Sequence, residues 1–312
     1  MPQRVALIVN PTAGKGAGQA LGDETRGRLR AAGVDVVEAS GRSWTESRER
    51  AEAALQAGVD ALVVVGGDGL VHLGVNLVAG STTPIGVVAA GTGNDFARNL
   101  GLPVRDAAGA VDVVTGGAVR TIDAGRATGP NGDTKWFAGV LGAGFDAVVT
   151  ARAARMRWPR GQMRYNLAVL RELPFFKPIP YVVELDGRRI DTRAMLVAVA
   201  NTPSFGGGML VCPEADPTDG LLDVLIVRAI SVPAFLRVFP SVYRGAHVSH
   251  EAVEIHRAAR VRLTADSIRS QADGEPFTEL PLEIEVVPRA LGVLTRATAG
   301  RMDSDEFHTG LQ

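Results

Sequence analysis

Four short runs in the first part of the chain are apolar almost from end to end: RVALIVN (4–10), VDVVEAS (34–40), DALVVVGG (60–67) and PIGVVAAG (84–91). A strand with one wet face alternates apolar and polar residues, whereas a run rich in valine and isoleucine throughout belongs to a strand covered on both faces. Longer amphipathic stretches follow each run, at 18–32, 44–57, 70–79 and 94–115. Strand and helix in alternation imply an open, mostly parallel α/β sheet for residues 1–128.

After Gly129 the pattern changes. WFAGVLGAG, YVVELDG, AMLVAVAN, LLDVLIVR, EIHRAARVRLTA and LEIEVV are strands separated mainly by turns, with helical interruptions near 145–172 and 232–244. Residues 129–287 therefore read as a mainly antiparallel β-sandwich, with 288–298 able to rejoin the first domain. TGPNGDT (128–134) marks a boundary or a hairpin tip, and 299–312 reads as a disordered tail. No internal repeat is visible.

In the α/β half, glycine and a polar residue coincide at four turns: NPTAGKG (10–16), GGDG (66–69), AGTGND (90–95) and DAG (123–125). Ligands of open α/β sheets bind at the carboxyl ends of strands, where loops and helix starts offer unpaired N–H groups. Neither GxxxxGK[ST] nor GxGxxG is met, so a P-loop or a dinucleotide fold fits poorly. Any one of these loops could be an ordinary turn; four together suggest one site. Glycine lets a polyphosphate approach the backbone, and the Asp68 carboxylate could organise the magnesium that travels with it.

Three further stretches carry acids. PEADPTDGLLDV (213–224) sets Asp216 and Asp219 three apart, able to converge on a hard cation with a backbone carbonyl, or simply to form turns. QADGEP (271–276) puts Asp273 and Glu275 on a turn between strands, where a carboxylate facing the glycine loops could take a proton from an attacking hydroxyl. Asp95 could cap the following helix as easily as contact a nucleotide. His72, His247, His250 and His256 show no ligand spacing and read as core or surface residues.

GGDG, GTGNDFAR, PEADPTDGLLDV and QADGEP, in that order, resemble the bacterial diacylglycerol kinase family, soluble lipid kinases related to sphingosine and NAD kinases. The resemblance spans nearly the whole chain. It implies an ATP-binding α/β domain and a β-sandwich domain with the substrate cleft between them. Asn10, Pro11, Thr12, Ala13 and Gly14, with Gly66, Gly67, Asp68, Gly69, Thr92, Asn94 and Asp95, would then surround ATP. Ser40 stands where relatives often have threonine. Asp216, Asp219 and the Leu221 carbonyl would hold a structural Mg2+. Asp273 would be the general base with Glu275 supporting it, although the roles of Asp273, Glu275 and Asp68 can be exchanged. GGDGL, where many bacterial relatives read GGDGT, resembles the sphingosine kinase form.

The formal net charge of −1 gives no global basic field, so nucleic acid is not an expected partner. A single cysteine, Cys212, excludes an internal disulfide, and no apolar run reaches the length of a membrane span. A cytoplasmic protein is expected. Residues 152–177 interleave seven arginines and lysines with Met156, Trp158, Met163, Tyr165, Phe175 and Phe176, against the single acid Glu172. Such a mixture suits peripheral contact with anionic lipid, or equally a solvated helix face with its aromatics in the core. The leading function is ATP- and Mg2+-dependent phosphorylation of a lipid hydroxyl, most simply diacylglycerol to phosphatidic acid. A sphingoid-base kinase, an NAD kinase and a non-catalytic lipid- or nucleotide-binding regulator are the alternatives.

Overall fold

The computed structural model describes residues 1–156, 158, 162–172 and 175–296. Strands β1 (Arg4–Val9), β2 (Asp35–Glu38), β3 (Ala61–Gly66) and β4 (Ile85–Ala89) form the parallel part of a mixed sheet in the order β2-β1-β3-β4. Successive residues of one strand enter different cores. Ala6, Ile8, Leu62 and Val64 pack into one cluster, while Val5, Leu7, Val63 and Val65 pack into another on the opposite face. Both faces of β1, β3 and β4 are covered, so their buried positions are apolar, while Arg4 and the edge-strand residues Asp35 and Glu38 stay exposed. Each buried Val or Leu contributes roughly 1.5–3 kcal/mol relative to exposure.

Helices α1 (Ala13–Ala31), α2 (Trp44–Gln56) and α3 (Asp68–Val78) follow the first three strands. Ser43 caps α2 by accepting from the Glu46 N–H, and the Glu46 carboxylate reaches back to the Arg42 N–H. The helix expected at 94–115 is two, α4 (Asp95–Asn99) and α5 (Ala107–Gly116). Gly101 and Arg105 take left-handed backbone, at φ 66° and 55°, and Pro103 cannot supply a helical N–H.

The remaining strands are β5 (Ala118–Thr128), β6 (Thr134–Phe137), β7 (Val140–Gly144), β8 (Ile179–Leu185), β9 (Arg188–Ala200), β10 (Leu222–Arg228), β11 (Val253–Ala258), β12 (Arg260–Thr264), β13 (Arg269–Ala272), β14 (Glu275–Glu279) and β15 (Leu282–Thr295). Most pair antiparallel around a second core centred on Phe137, Leu141, Tyr181, Val197, Val224 and Leu263. TGPNGDT is the tip of the β5–β6 hairpin. EIHRAARVRLTA is two strands, because the chain turns a corner where the Asp186 carboxylate takes the N–H groups of Ala259 and Arg260. Helices α6 (Phe145–Arg155), α7 (Gln162–Glu172) and α8 (Val232–Val238) lie outside this sheet. The result is an N-terminal α/β unit and a C-terminal β-sandwich, with β5 and β15 paired along both and β15 meeting β4 at Val293 and Ile85.

Candidate active site

The glycine turns at the ends of β1, β3 and β4 pack against one another. A Cβ on Gly91 would stand 2.6 Å from the Gly67 Cα, and one on Gly14 would stand 2.1 Å from the Ala90 carbonyl oxygen. Gly67 is extended, so close approach and not φ requires glycine there. Gly14, Lys15 and Gly16 are left-handed at φ 58°, 64° and 98°. Backbone of that kind can turn successive N–H groups toward an anion. Asn10 accepts from the Thr12 N–H and hydroxyl, bracing this turn. Ser40 braces the end of β1, its hydroxyl oxygen accepting from the Val9 N–H at 2.9 Å.

Asp68 opens α3 and holds the next loop. Its Oδ2 accepts from the Asn94 N–H at 2.7 Å, and Oδ1 accepts from Phe96 N–H at a long 3.4 Å. Burial first, and then the charge of Asp95, push its carboxyl above the ordinary value, while the backbone donors pull the other way. Asn94, left-handed at φ 56°, exchanges two hydrogen bonds with Gly91. Asp95, only 8% exposed, accepts from Gly207 N–H at 2.6 Å and Gly208 N–H at 2.7 Å. It clamps a loop of the second unit, Ser204 to Met209, to the first.

Asp273 reaches the same cleft from the other side on left-handed backbone, φ 50°. WFAGVLGAG breaks between β6 and β7 to receive it: Oδ1 accepts from Gly139 and Val140 N–H, and Oδ2 from Ala138 N–H. The fourth donor is His72 Nδ1, 3.2 Å from Oδ2. A carboxylate only accepts, so that nitrogen carries the proton. Together these residues line a cleft of about 450 Å3, with Asp68, His72, Thr92, Asp95, Phe205 and Asp273 on its walls. That volume suits a small organic ligand.

Other residues singled out in the sequence lie elsewhere. Glu275 turns away from Asp273 into a neighbouring cavity beside Gly69, Arg48 and Lys135. Burial pushes the Lys135 amine down, and the Glu275 charge opposes this. The support expected of Glu275 comes instead from His72. Asp216, Asp219 and Leu221 do not line the cleft. Asp216 accepts from the Thr218 N–H and hydroxyl; Asp219 accepts from the Leu221 N–H and pairs with the Arg257 guanidinium. Each Asp219 oxygen thus carries one hydrogen-bond partner. As arranged, a Mg2+ held by Asp216, Asp219 and the Leu221 carbonyl would have to displace the Arg257 guanidinium from Asp219.

Sequence reasoning passed over His72 and the Phe205–Gly208 loop. His72 was visible in principle, since it stands four residues after Asp68, one helical turn away on the same face. The SFGGG loop carries no motif of its own; its three glycines, at φ 69°, 86° and 96°, matter only because Asp95 finds their N–H groups.

A cleft between an α/β unit with converging glycine loops and a β-sandwich presenting a carboxylate defines a two-domain kinase. Comparison with known proteins agrees. Residues 4–127 match the diacylglycerol kinase catalytic domain, and residues 139–295 match the YegS C-terminal NAD kinase beta sandwich-like domain. The chain is 43% identical over 292 residues to a diacylglycerol kinase of Mycobacterium tuberculosis, covering 93% of this chain and 94% of that one. A diacylglycerol kinase of Bacillus subtilis is 29% identical, over 94% and 96% of the two chains. The crystal structure of a Bacillus anthracis diacylglycerol kinase superposes with a TM-score of 0.71 at 21% identity, over 95% and 97%. An Archaeoglobus fulgidus NAD kinase, solved with ATP, shares the fold at TM-score 0.54, over 94% of each chain. The chain belongs to the diacylglycerol kinase family and is a lipid kinase.

Proposed function

We propose that the protein transfers the γ-phosphoryl group of Mg-ATP to a lipid hydroxyl, most simply that of diacylglycerol, giving phosphatidic acid. The observation that carries this reading is the convergence on one cleft of the GGDG and GTGND loops and, opposite them, Asp273. The glycine turns bring Gly14, Gly67–Gly69, Thr92 and Gly93 close together, where their backbone could meet the triphosphate, whose magnesium offsets its charge. The acceptor oxygen attacks the γ-phosphorus, its proton passes to a carboxylate, and the bond to the β–γ bridging oxygen breaks to release ADP.

The geometry favours Asp68 as the proton acceptor over Asp273. Asp273 has four donors on two oxygens, one of them the His72 ring, whereas Asp68 is met by backbone N–H groups of Asn94, Asp95 and, at a long distance, Phe96, and burial pushes its carboxyl up toward protonation. A raised carboxyl pKa suits a group that must take a proton near neutrality. Asp273, held by His72 and the opened strand, would then orient the acceptor hydroxyl.

The lipid would arrive from a bilayer met by the α6–α7 face. Trp158 is 77% and Phe175 82% exposed, with Met163 and Leu170 also outside, and Arg155, Arg171 and Lys177 are exposed beside them. Arg152 pairs with Glu172; Arg157 and Arg160 lie outside the described residues. Among the described residues no helix is long and apolar enough to cross a membrane. We place the enzyme on the cytoplasmic side, in peripheral contact. Incubation with labelled ATP, Mg2+ and separate vesicles or solutions of diacylglycerol, sphingosine, ceramide and NAD tests the reading. Labelled phosphatidic acid is the expected product, and label in NAD alone would overturn it.

A further inference from the structure

Behind the cleft lies a second, apolar-lined chamber of about 100 Å3. Its wall is aliphatic and aromatic, from Val140, Ala198, Leu225, Val227 and Phe239 among others, and sits between the β7-β9-β10 surface and helix α8. Phe205 lines both chamber and cleft and is the partition between them. The loop carrying it is held by the Asp95 clamp, and Phe205 exchanges backbone hydrogen bonds with Met209 across that loop.

Among the residues that line the chamber, His247 carries the polar side chain. His247 is 5% exposed, and its Nε2 lies 3.1 Å from the Val211 carbonyl oxygen. A carbonyl only accepts, so Nε2 carries the proton. Burial pushes the ring toward the neutral form, which leaves a lone pair on Nδ1. That Nδ1 is buried without a hydrogen-bond partner. An unsatisfied buried polar atom is costly, so it marks a missing donor. A water would need two to four polar partners, and this chamber offers few. A donor carried on an apolar chain fits the wall and the orphaned atom together.

We propose that this chamber receives a hydrocarbon chain of the lipid substrate past Phe205, and that His247 favours a chain bearing a hydroxyl by accepting its hydrogen bond. The inference rests on the reading of the protein as a lipid kinase. The hydroxyl that is phosphorylated stays in the cleft, so the group at His247 is a second one, as in a hydroxyacyl glycerolipid or a long-chain base. His247 here is a specificity-determining residue, remote from the reacting atoms.

The test is calorimetric titration of the whole protein, without ATP, with octan-1-ol and its isomer 1-methoxyheptane, which has the same size but no donor. The alcohol is expected to bind about tenfold tighter, the worth of one hydrogen bond. His247→Leu should bind the two alike, and Ala198→Phe, which fills the chamber, should bind neither. On the unaltered protein the imidazole Nδ1 resonance should move with the alcohol and not with the ether, which keeps the test independent of whether a variant folds. No binding of either compound, or equal binding with an unmoved Nδ1 signal, overturns the proposal. Diacylglycerol and long-chain bases, each with and without a chain hydroxyl, then separate the lipid sources in the kinase assay. Alcohol bound by a protein that phosphorylates no lipid would sink the kinase reading and leave the chamber standing. Lipid phosphorylation undiminished in Ala198→Phe, with no alcohol bound, would sink the chamber alone.

Discussion

Asp68 and Asp273 are both carboxylates at one cleft, yet their surroundings oblige different responses to the same substitution. Burial and the Asp95 charge hold the Asp68 carboxyl above its ordinary value of 3.8. Between that value and the raised one the folded protein keeps a proton that the unfolded chain has lost. Stability therefore falls as pH rises through this window, and the cost is fully present above it. Asp68→Asn removes that cost and keeps an oxygen for the Asn94 N–H. It is expected to gain in melting temperature relative to the parent on going from pH 4 to pH 7, while single-turnover phosphorylation drops by about 10² to 10⁴. A relative loss of stability at pH 7 would sink this account of its surroundings. Asp273→Asn must instead turn an NH2 toward backbone donors or His72, at a cost of about 1–3 kcal/mol. It should melt lower, and a variant that is stable but wholly inactive would return the base to Asp273. Gly91→Ala, with its Cβ 2.6 Å from Gly67 Cα, should weaken Mg-ATP binding by spreading the two loops, measured by calorimetry.

At the scale of elements, the strands of the α/β unit were legible because two-sided burial leaves an all-apolar run, a signal contained in six consecutive residues. The helix at 94–115 was misread because its amphipathic pattern continues across Gly101 and Pro103; only the backbone turn there shows that α4 and α5 pack separately. WFAGVLGAG looked like one strand because nothing local announces that three of its N–H groups serve a carboxylate 133 to 135 residues away. The site was half legible for the same reason. Glycine turns are local, whereas the Asp95 clamp on Gly207 and Gly208 and the His72–Asp273 pair depend on long-range contact. The clamp can be tested: Asp95→Ala should abolish hydrogen-exchange protection of the Gly207 and Gly208 amides and raise KM for lipid more than for ATP. Unchanged protection would mean that the loop is held without it. The 213–224 loop offers a second test. Arg257 occupies Asp219 and also faces Asp223, 3.8 Å away, so added Mg2+ is expected to leave the melting temperature of the parent unchanged, whereas Arg257→Ala should gain a Mg2+-dependent rise. A Mg2+-dependent parent would restore the metal to this loop.

At the scale of the molecule, β5 and β15 bind the two units into one sheet, which joins the cleft, the chamber beside it and the face of helices α6–α7 in one body. Phe145 and Phe235 stack edge to face beneath that surface and line the chamber within. Helices α6–α8 and the chamber therefore share the side chains of Phe145, Val169 and Phe235. Two physical terms would hold this face on a membrane: apolar burial of Trp158 and Phe175, which salt does not weaken, and attraction of Arg155, Arg171 and Lys177 to anionic headgroups, which salt screens. Each basic residue near such a surface contributes about 1 kcal/mol. Replacing all three by Glu is thus expected to lower sedimentation with anionic vesicles by a hundredfold or more, and high salt on the parent should mimic it. Trp158→Ser with Phe175→Ser should lower binding at every salt concentration. In detergent-dispersed substrate, where no charged surface must be met, the charge variant should retain turnover close to the parent. Equal losses on vesicles and in detergent would show that these residues serve the fold or the cleft, and the docking face would have to be sought elsewhere.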